Sequence, residues 1–217
     1  MKVYKLTDQE FFTRNNTLWG ENVTHETSGE GKLCSEGWLH YYHHPLLAIL
    51  LNPIHADISN PILWEAEAEG KQLNDRGLKG GCTKLTTIKQ ITLPEITLEQ
   101  RVEFAIRCAM EVYKNENWLT WAKKWISGED RSQKSAHDAY ADAHDIAADA
   151  ADATHVANGA VATYVAAVAA VNATYAAYYA SVNAPYAAVN VADTTSYAAS
   201  AHATEINFDA ILKEVFG

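Results

Sequence analysis

The sequence predicts an α+β protein, a small mixed α/β N-terminal domain over residues 1–94 followed by an all-α, alanine-rich helical bundle over 95–217. Three observations carry this. Period-two alternation and β-branched runs are concentrated before residue 94. Leu93-Pro94 is followed at once by a helix-start signal. The rest is dominated by alanine, the best helix former, with tyrosines recurring at a fixed interval. At 217 residues, 48% hydrophobic and 20% charged, the chain is long enough and apolar enough to bury a core.

In the first half "KVYKLT" alternates as a short strand. "PLLAILLN" reads as a short buried helix stopped by Pro53. "ILWEAEAEGK" places Ile62, Trp64, Ala66 and Ala68 on one face and Glu65, Glu67 and Glu69 on the other. "CTKLTTIKQITL" reads as a further strand after a turn at "KGG". The second half opens with a capping box, Thr97 and Gln100, before Val102, Ala105, Ile106, Ala109 and Val112 at helical spacing. "NWLTWAKKWISG" sets Trp118, Trp121 and Trp125 at i, i+3 and i+7 and ends at Gly128, a core anchor for this hairpin.

From Ser135 onward, Tyr164, Tyr175, Tyr186 and Tyr197 lie eleven residues apart; Asn172 and Asn183 keep that interval, as do Thr163 and Thr174. Eleven residues are close to three α-helical turns, so the repeat holds a side chain on one stripe. Alanine buries little area, so such helices must pack closely, with Tyr and Val expected to fill the gaps. Breaks are expected at Asn158-Gly159, at Pro185 and at an N-cap cluster "DTTS" (193–196), giving antiparallel helices. The uncharged run between Asp152 and Asp193 is long enough for a bilayer, but its Asn, Thr and Tyr and the lack of flanking Lys or Arg argue for packed helices and no membrane.

Asp138, Asp142, Asp145, Asp149 and Asp152 follow spacings of 4, 3, 4 and 3, which puts all five on one helical face. Like charges at i, i+4 each cost an isolated helix a few tenths of a kcal/mol. The stripe is either a solvated face, partly neutralised by Lys123, Lys124 or Arg131, or a docking surface for a basic partner. A divalent metal site fits poorly, since neighbouring aspartates on one helix rarely surround an ion. His137 and His144 flank the stripe.

"FAIRCAMEVY", the hairpin "WAKKWISGE" and "SAHDAYADAHDIAADAADATHVANGAVATYVA" together resemble the Imm5-like immunity family, alanine-rich helical domains of bacteria and their phages, over residues 97–204. The resemblance sets Phe104, Arg107, Cys108, Trp125, Gly128, His137, His144 and His155 at the family's positions. The family carries arginines within its alanine run and this chain has none. The first half, with C-x-x-G-x-x-H at Cys34, Gly37 and His40, resembles a small uncharacterised phage domain. These resemblances imply a phage or prophage origin and a role in conflict with a host or toxin.

"CSEGWLHYYHHP" is the densest constellation of the first half. Trp38, His40, Tyr41, Tyr42 and His43 are candidates for a nucleotide-type pocket, the rings for stacking and His40 for phosphate or ribose. Cys34, His40, His43, His44 and Cys82 are weighed as zinc ligands, but paired C-x-x-C spacing is missing, so no metal and no cofactor are expected. A catalytic Cys34–His40 pair would need a third orienting group, and no enzyme activity is expected. "GLKGG" (77–81) lacks the ending of a phosphate loop and reads as a turn. The net charge of −10 excludes duplex nucleic acid as a partner. Three widely spaced cysteines and an N-terminus without a signal-peptide pattern predict a reducing bacterial cytoplasm; "NNT" and "NVT" are then not glycosylated.

The expected function is a phage-type inhibitor or immunity-like protein that blocks a host defence or toxin protein with a basic surface. The alternative is sequestration of a nucleotide-type signal near the N-terminal domain. Self-association into a homo-oligomer is expected, since Ala-on-Ala seams serve within or between chains.

Overall fold

The first strand, β1 (Lys2–Thr7), pairs antiparallel with the long β6 (Ile62–Asp75), setting Val3 opposite Ala66 and Lys5 opposite Trp64. β6 turns back into β7 (Lys79–Ile91), whose far edge takes both β4 (Val23–Glu26) and β5 (Leu39–Tyr41). Past the end of β5, Tyr42 N–H donates to Tyr4 O at 2.8 Å and Tyr4 N–H donates back at 2.9 Å. Those two bonds close a ring of strands, β1–β6–β7–β5–β1, a small barrel whose core includes Val3, Tyr41, Ala66, Cys82, Leu85 and Trp19. These coordinates are a computed structural model, and they describe every residue except 155–158, 183–185 and 202–204, with the side chains of 153, 154, 159 and 160 also left aside.

The minor elements follow the same economy. β2 (Phe12–Thr13) and β3 (Thr17–Leu18) form a tight hairpin around a single 3-10 turn, Arg14–Asn16. Helix α1 (Pro45–His55) is capped by His44, whose Nδ1 accepts from Leu46 N–H, and buries Leu47, Ala48, Leu50 and Leu51. Pro53 lies inside α1 and does not stop it as expected. Its missing N–H costs one bond to the preceding turn, but the helix ends two residues later at Asn52's own signals. The Asn52 side chain bonds both N–H and C=O of Ile58, while its carbonyl accepts from Ala56 and Asp57.

The β6–β7 turn is also displaced from its expected place. Arg76 (φ 50°) and Gly77 (φ 80°) are its two left-handed residues, closed by Leu78 N–H to Asp75 O at 2.9 Å. "KGG" lies within β7. A Cβ on Gly80 would stand 2.3 Å from the Tyr41 ring and one on Gly81 2.3 Å from Leu33, so both glycines make room for side chains lying flat on the strand.

Residues 1–95 form one compact unit and 96–217 a second. The second holds α2 (Leu98–Val112), α3 (Glu116–Ser127), α4 (Gln133–Thr154), α5 (Gly159–Ser181), α6 (Ala187–Ala201) and α7 (Phe208–Phe216). The capping box forms in full: Gln100 N–H donates to Thr97 Oγ1 at 3.2 Å and Thr97 N–H to Gln100 Oε1 at 3.0 Å. α3 ends on left-handed Gly128 and buries Trp118, Trp121 and Trp125. Arg107 ties α2 to α7 through Glu103 and Glu214, and Phe104 meets Phe208.

α5 packs against α4, α6 and α2. Tyr140, near the start of α4, meets Tyr175, near the end of α5, at a ring distance of 4.5 Å, so the two helices run antiparallel. The buried positions of α5 are alanines and Thr174; its valines and tyrosines are not buried, contrary to the expectation that they fill the seam. The eleven-residue tyrosine repeat spans α5, the connection and α6 instead of marking one helix stripe. "DTTS" is no N-cap: it lies within α6, where buried Thr194 and Thr195 donate to the carbonyls of Asn190 and Val191 four residues back. His155, Asn158, Asn183 and Pro185 lie outside the described residues.

Candidate functional site

The acidic face is built by α4. Ser132 starts the helix, its Oγ accepting from Ser135 N–H at 3.2 Å. Ala136, Ala139, Ala143, Ala147 and Ala150 then recur at 3, 4, 4 and 3, and all are buried. With the small residues turned inward, Asp138, Asp142, Asp145, Asp149 and Asp152 are all exposed along the opposite face. Lys134 Nζ lies 2.5 Å from Asp138 Oδ2, a basic residue within the same helix that the sequence reading had left out. His144 Nδ1 stands 3.8 Å from Asp145. Two of the three cations expected from the α3 hairpin are engaged elsewhere: Lys124 pairs with Glu129, and Arg131 stacks on Trp125 and donates to its carbonyl; Lys123 is exposed.

Beside this face runs a feature the sequence reading missed, a chain of aromatic rings. His137, Tyr140 and His144 share one flank of α4. Tyr140 touches Tyr175, Tyr175 stacks on Tyr179 at 5.8 Å, and Tyr179 meets Tyr186 at 5.6 Å. The Tyr140 hydroxyl bonds that of Tyr175 and raises its pKa, ahead of desolvation. The antiparallel pairing of α4 with α5 joins the α4 rings to those of Tyr175 and Tyr179 through the Tyr140–Tyr175 contact.

In the N-terminal unit, Trp38 is buried and donates from Nε1 to Gly31 O at 3.1 Å. His40 Nε2 bonds the Leu33 carbonyl, and burial lowers its pKa against the pull of that carbonyl. Tyr41 lies in the barrel core, meets His43 edge-on at 5.2 Å, and has its phenol pushed up to about 12 by burial. Tyr42 closes the barrel and stacks on His55, whose own pKa burial lowers to about 4. These five residues are therefore engaged in packing and closure. Cys34 is exposed, whereas Cys82 is buried with its thiol toward the Lys84 and Leu39 carbonyls and its pKa pushed up to about 11 by burial. His44 caps α1. Among the described residues no group of three or more His, Cys, Asp and Glu side chains is arranged to hold a metal ion.

One titratable group inside the barrel was not singled out from sequence. Lys5 is 7% exposed, donates to His40 O at 3.0 Å and lies 4.4 Å over the Trp19 ring. Burial lowers its pKa to about 8, partly countered by Cys82.

Residues that carry the family resemblance serve structure here. Phe104 packs on Phe208, Arg107 bridges two helices, the Cys108 thiol is buried beside Thr195, and Trp125 and Gly128 finish α3. No family model, curated protein or solved structure matches the chain.

Proposed function

We propose that this chain is a non-enzymatic binding protein of the inhibitor or immunity type, which docks a basic surface of a host defence or toxin protein on the aspartate face of α4, inside the bacterial host. The observation that supports this is the exposure of all five aspartates on one helix face, where Lys134 pairs with Asp138. Packing alone does not require that arrangement: the buried side of α4 is alanine, and neutral residues on the outer face would remove several like-charge contacts. Carboxylates spaced along a helix fixed by its alanine seam meet a basic surface with little reordering, which favours fast, salt-sensitive association. The aromatic flank adds rings on which arginine side chains stack.

The test is charge reversal. The triple variant Asp142→Lys, Asp145→Lys, Asp149→Lys should keep its helical circular dichroism and lose any protein that the wild type retains from a host lysate at low salt. A folded triple variant that retains the same protein would sink this reading.

A further inference from the structure

We infer that the outward face of α5 is a coiled-coil seam that pairs with α5 of a second copy of this chain. This goes beyond the docking reading and does not rest on it. α5 is built inside out. Its buried residues, among those described, are alanines and one threonine, while its valines and tyrosines are exposed or half-buried, Tyr175 reaching the Tyr140 ring of α4. Those bulky residues are spaced as a seam: Val161, Tyr164, Val168, Val171, Tyr175 and Tyr178, at intervals of 3, 4, 3, 4 and 3, with Val182 four residues further on. That is the a/d spacing of a heptad repeat, with Val161, Val168 and Tyr175 at a, Tyr164, Val171 and Tyr178 at d, and Val182 just past the helix end.

An a/d seam buries itself fully only against another helix, and this one stays partly open, although its Tyr175 touches Tyr140 of α4. Val161, Tyr164 and Val182 are 48%, 37% and 49% exposed, and Val168, Val171, Tyr175 and Tyr178 are half-buried. With Tyr179 and Tyr186 at its edge, the face offers roughly 600 Å² per copy, so a pair would bury about 1,200 Å², the lower end of a standard interface.

The face carries no charge, since no Asp, Glu, Lys or Arg occurs between Asp152 and Asp193. Two copies therefore bring no like charges together despite a net charge of −10 each, while a basic partner would leave its cations unpaired there. A lipid surface is the other claimant, because Val161–Ser181 is long and apolar enough to cross a membrane. Against it, 44% of that window is buried within the protein, and the window carries Asn172 and four tyrosines.

The experiment is sedimentation velocity on the full chain over a hundredfold concentration range, with neutral phosphatidylcholine vesicles in a parallel flotation assay. The expected result is a concentration-dependent rise to twice the chain mass of 23.9 kDa and no flotation. Val171→Glu, at the middle of the seam, should stay at the single-chain mass with unchanged circular dichroism. A second variant does not depend on tolerating a charge: Val171→Cys with Cys34→Ser should become a covalent dimer under mild oxidation, because the midpoint lies near its counterpart in either helix orientation. A wild type that remains single at every concentration, a folded Val171→Glu that still doubles, or a chain that floats with vesicles while remaining single would each overturn the inference.

Discussion

Replacing Lys5 by methionine should change how stability responds to pH far more than it changes stability at neutrality. Burial holds the Lys5 amine at a pKa of about 8, against 10.5 for a free lysine. At about 1.4 kcal/mol per pH unit, that difference is a cost of about 3 kcal/mol for folding with the amine charged. Methionine removes this cost, but it also forfeits the hydrogen bond to His40 O and the contact with Trp19, together worth about 2–3 kcal/mol. The two proteins should therefore be close to level at pH 7. Between pH 8 and 10.5 the native state gives up its proton before the unfolded chain does, so the unfolded chain holds more protons and wild-type stability rises with pH relative to the variant. Burial of Cys82 and Tyr41 pulls the other way in both proteins, because their folded pKa values are raised, and since Lys5 holds the Cys82 thiol lower, that loss is no smaller in the variant. Urea unfolding followed by tryptophan fluorescence from pH 7 to 10.5 should open a gap of about 3 kcal/mol in favour of the wild type. Parallel curves across that range would show that Lys5 is not desolvated in the barrel.

The remaining expectations concern the scaffold. Gly80→Ala should destabilise the N-terminal unit by about 1–3 kcal/mol or prevent its folding, since the new methyl meets the Tyr41 ring; loss of near-ultraviolet dichroism reports it. Thr97→Ala should cost about 1 kcal/mol in denaturant unfolding through the lost capping box. Ala173→Leu should cost about 1–3 kcal/mol at a fully buried position of α5, while Ala162→Leu, exposed near the start of the same helix, should stay within about 0.5 kcal/mol. Asp145→Ala should raise the melting temperature slightly, because it relieves the like-charge contacts with Asp142 and Asp149.

What was legible in the sequence is what depends on near neighbours. The Thr97–Gln100 box, the Gly128 stop and the alternation of β6 require only residues within one turn or one strand, and each is found where its pattern lies. Gly80 and Gly81 look like a turn in sequence; their reason is the Tyr41 and Leu33 side chains that cross them, which is a tertiary fact. Thr194 and Thr195 look like caps, but the same hydroxyls bond backward inside a buried helix. Spacing located the aspartate face because charge declares its own exposure. α5 was harder. Apolar residues surround that helix, and only its neighbours decide that the alanines turn inward and the valines outward. Lys5 was hidden for a related reason, since alternation groups it with Val3 and Thr7 but does not reveal that β5 closes the barrel over it.

The proposed function is tested most directly by native mass spectrometry of the chain repurified from a host lysate, run beside the Asp142→Lys, Asp145→Lys, Asp149→Lys variant. The account predicts a discrete additional protein mass on the wild type, absent from the folded variant. A wild type that returns with only a small-molecule mass, or with the same protein as the variant, would contradict it.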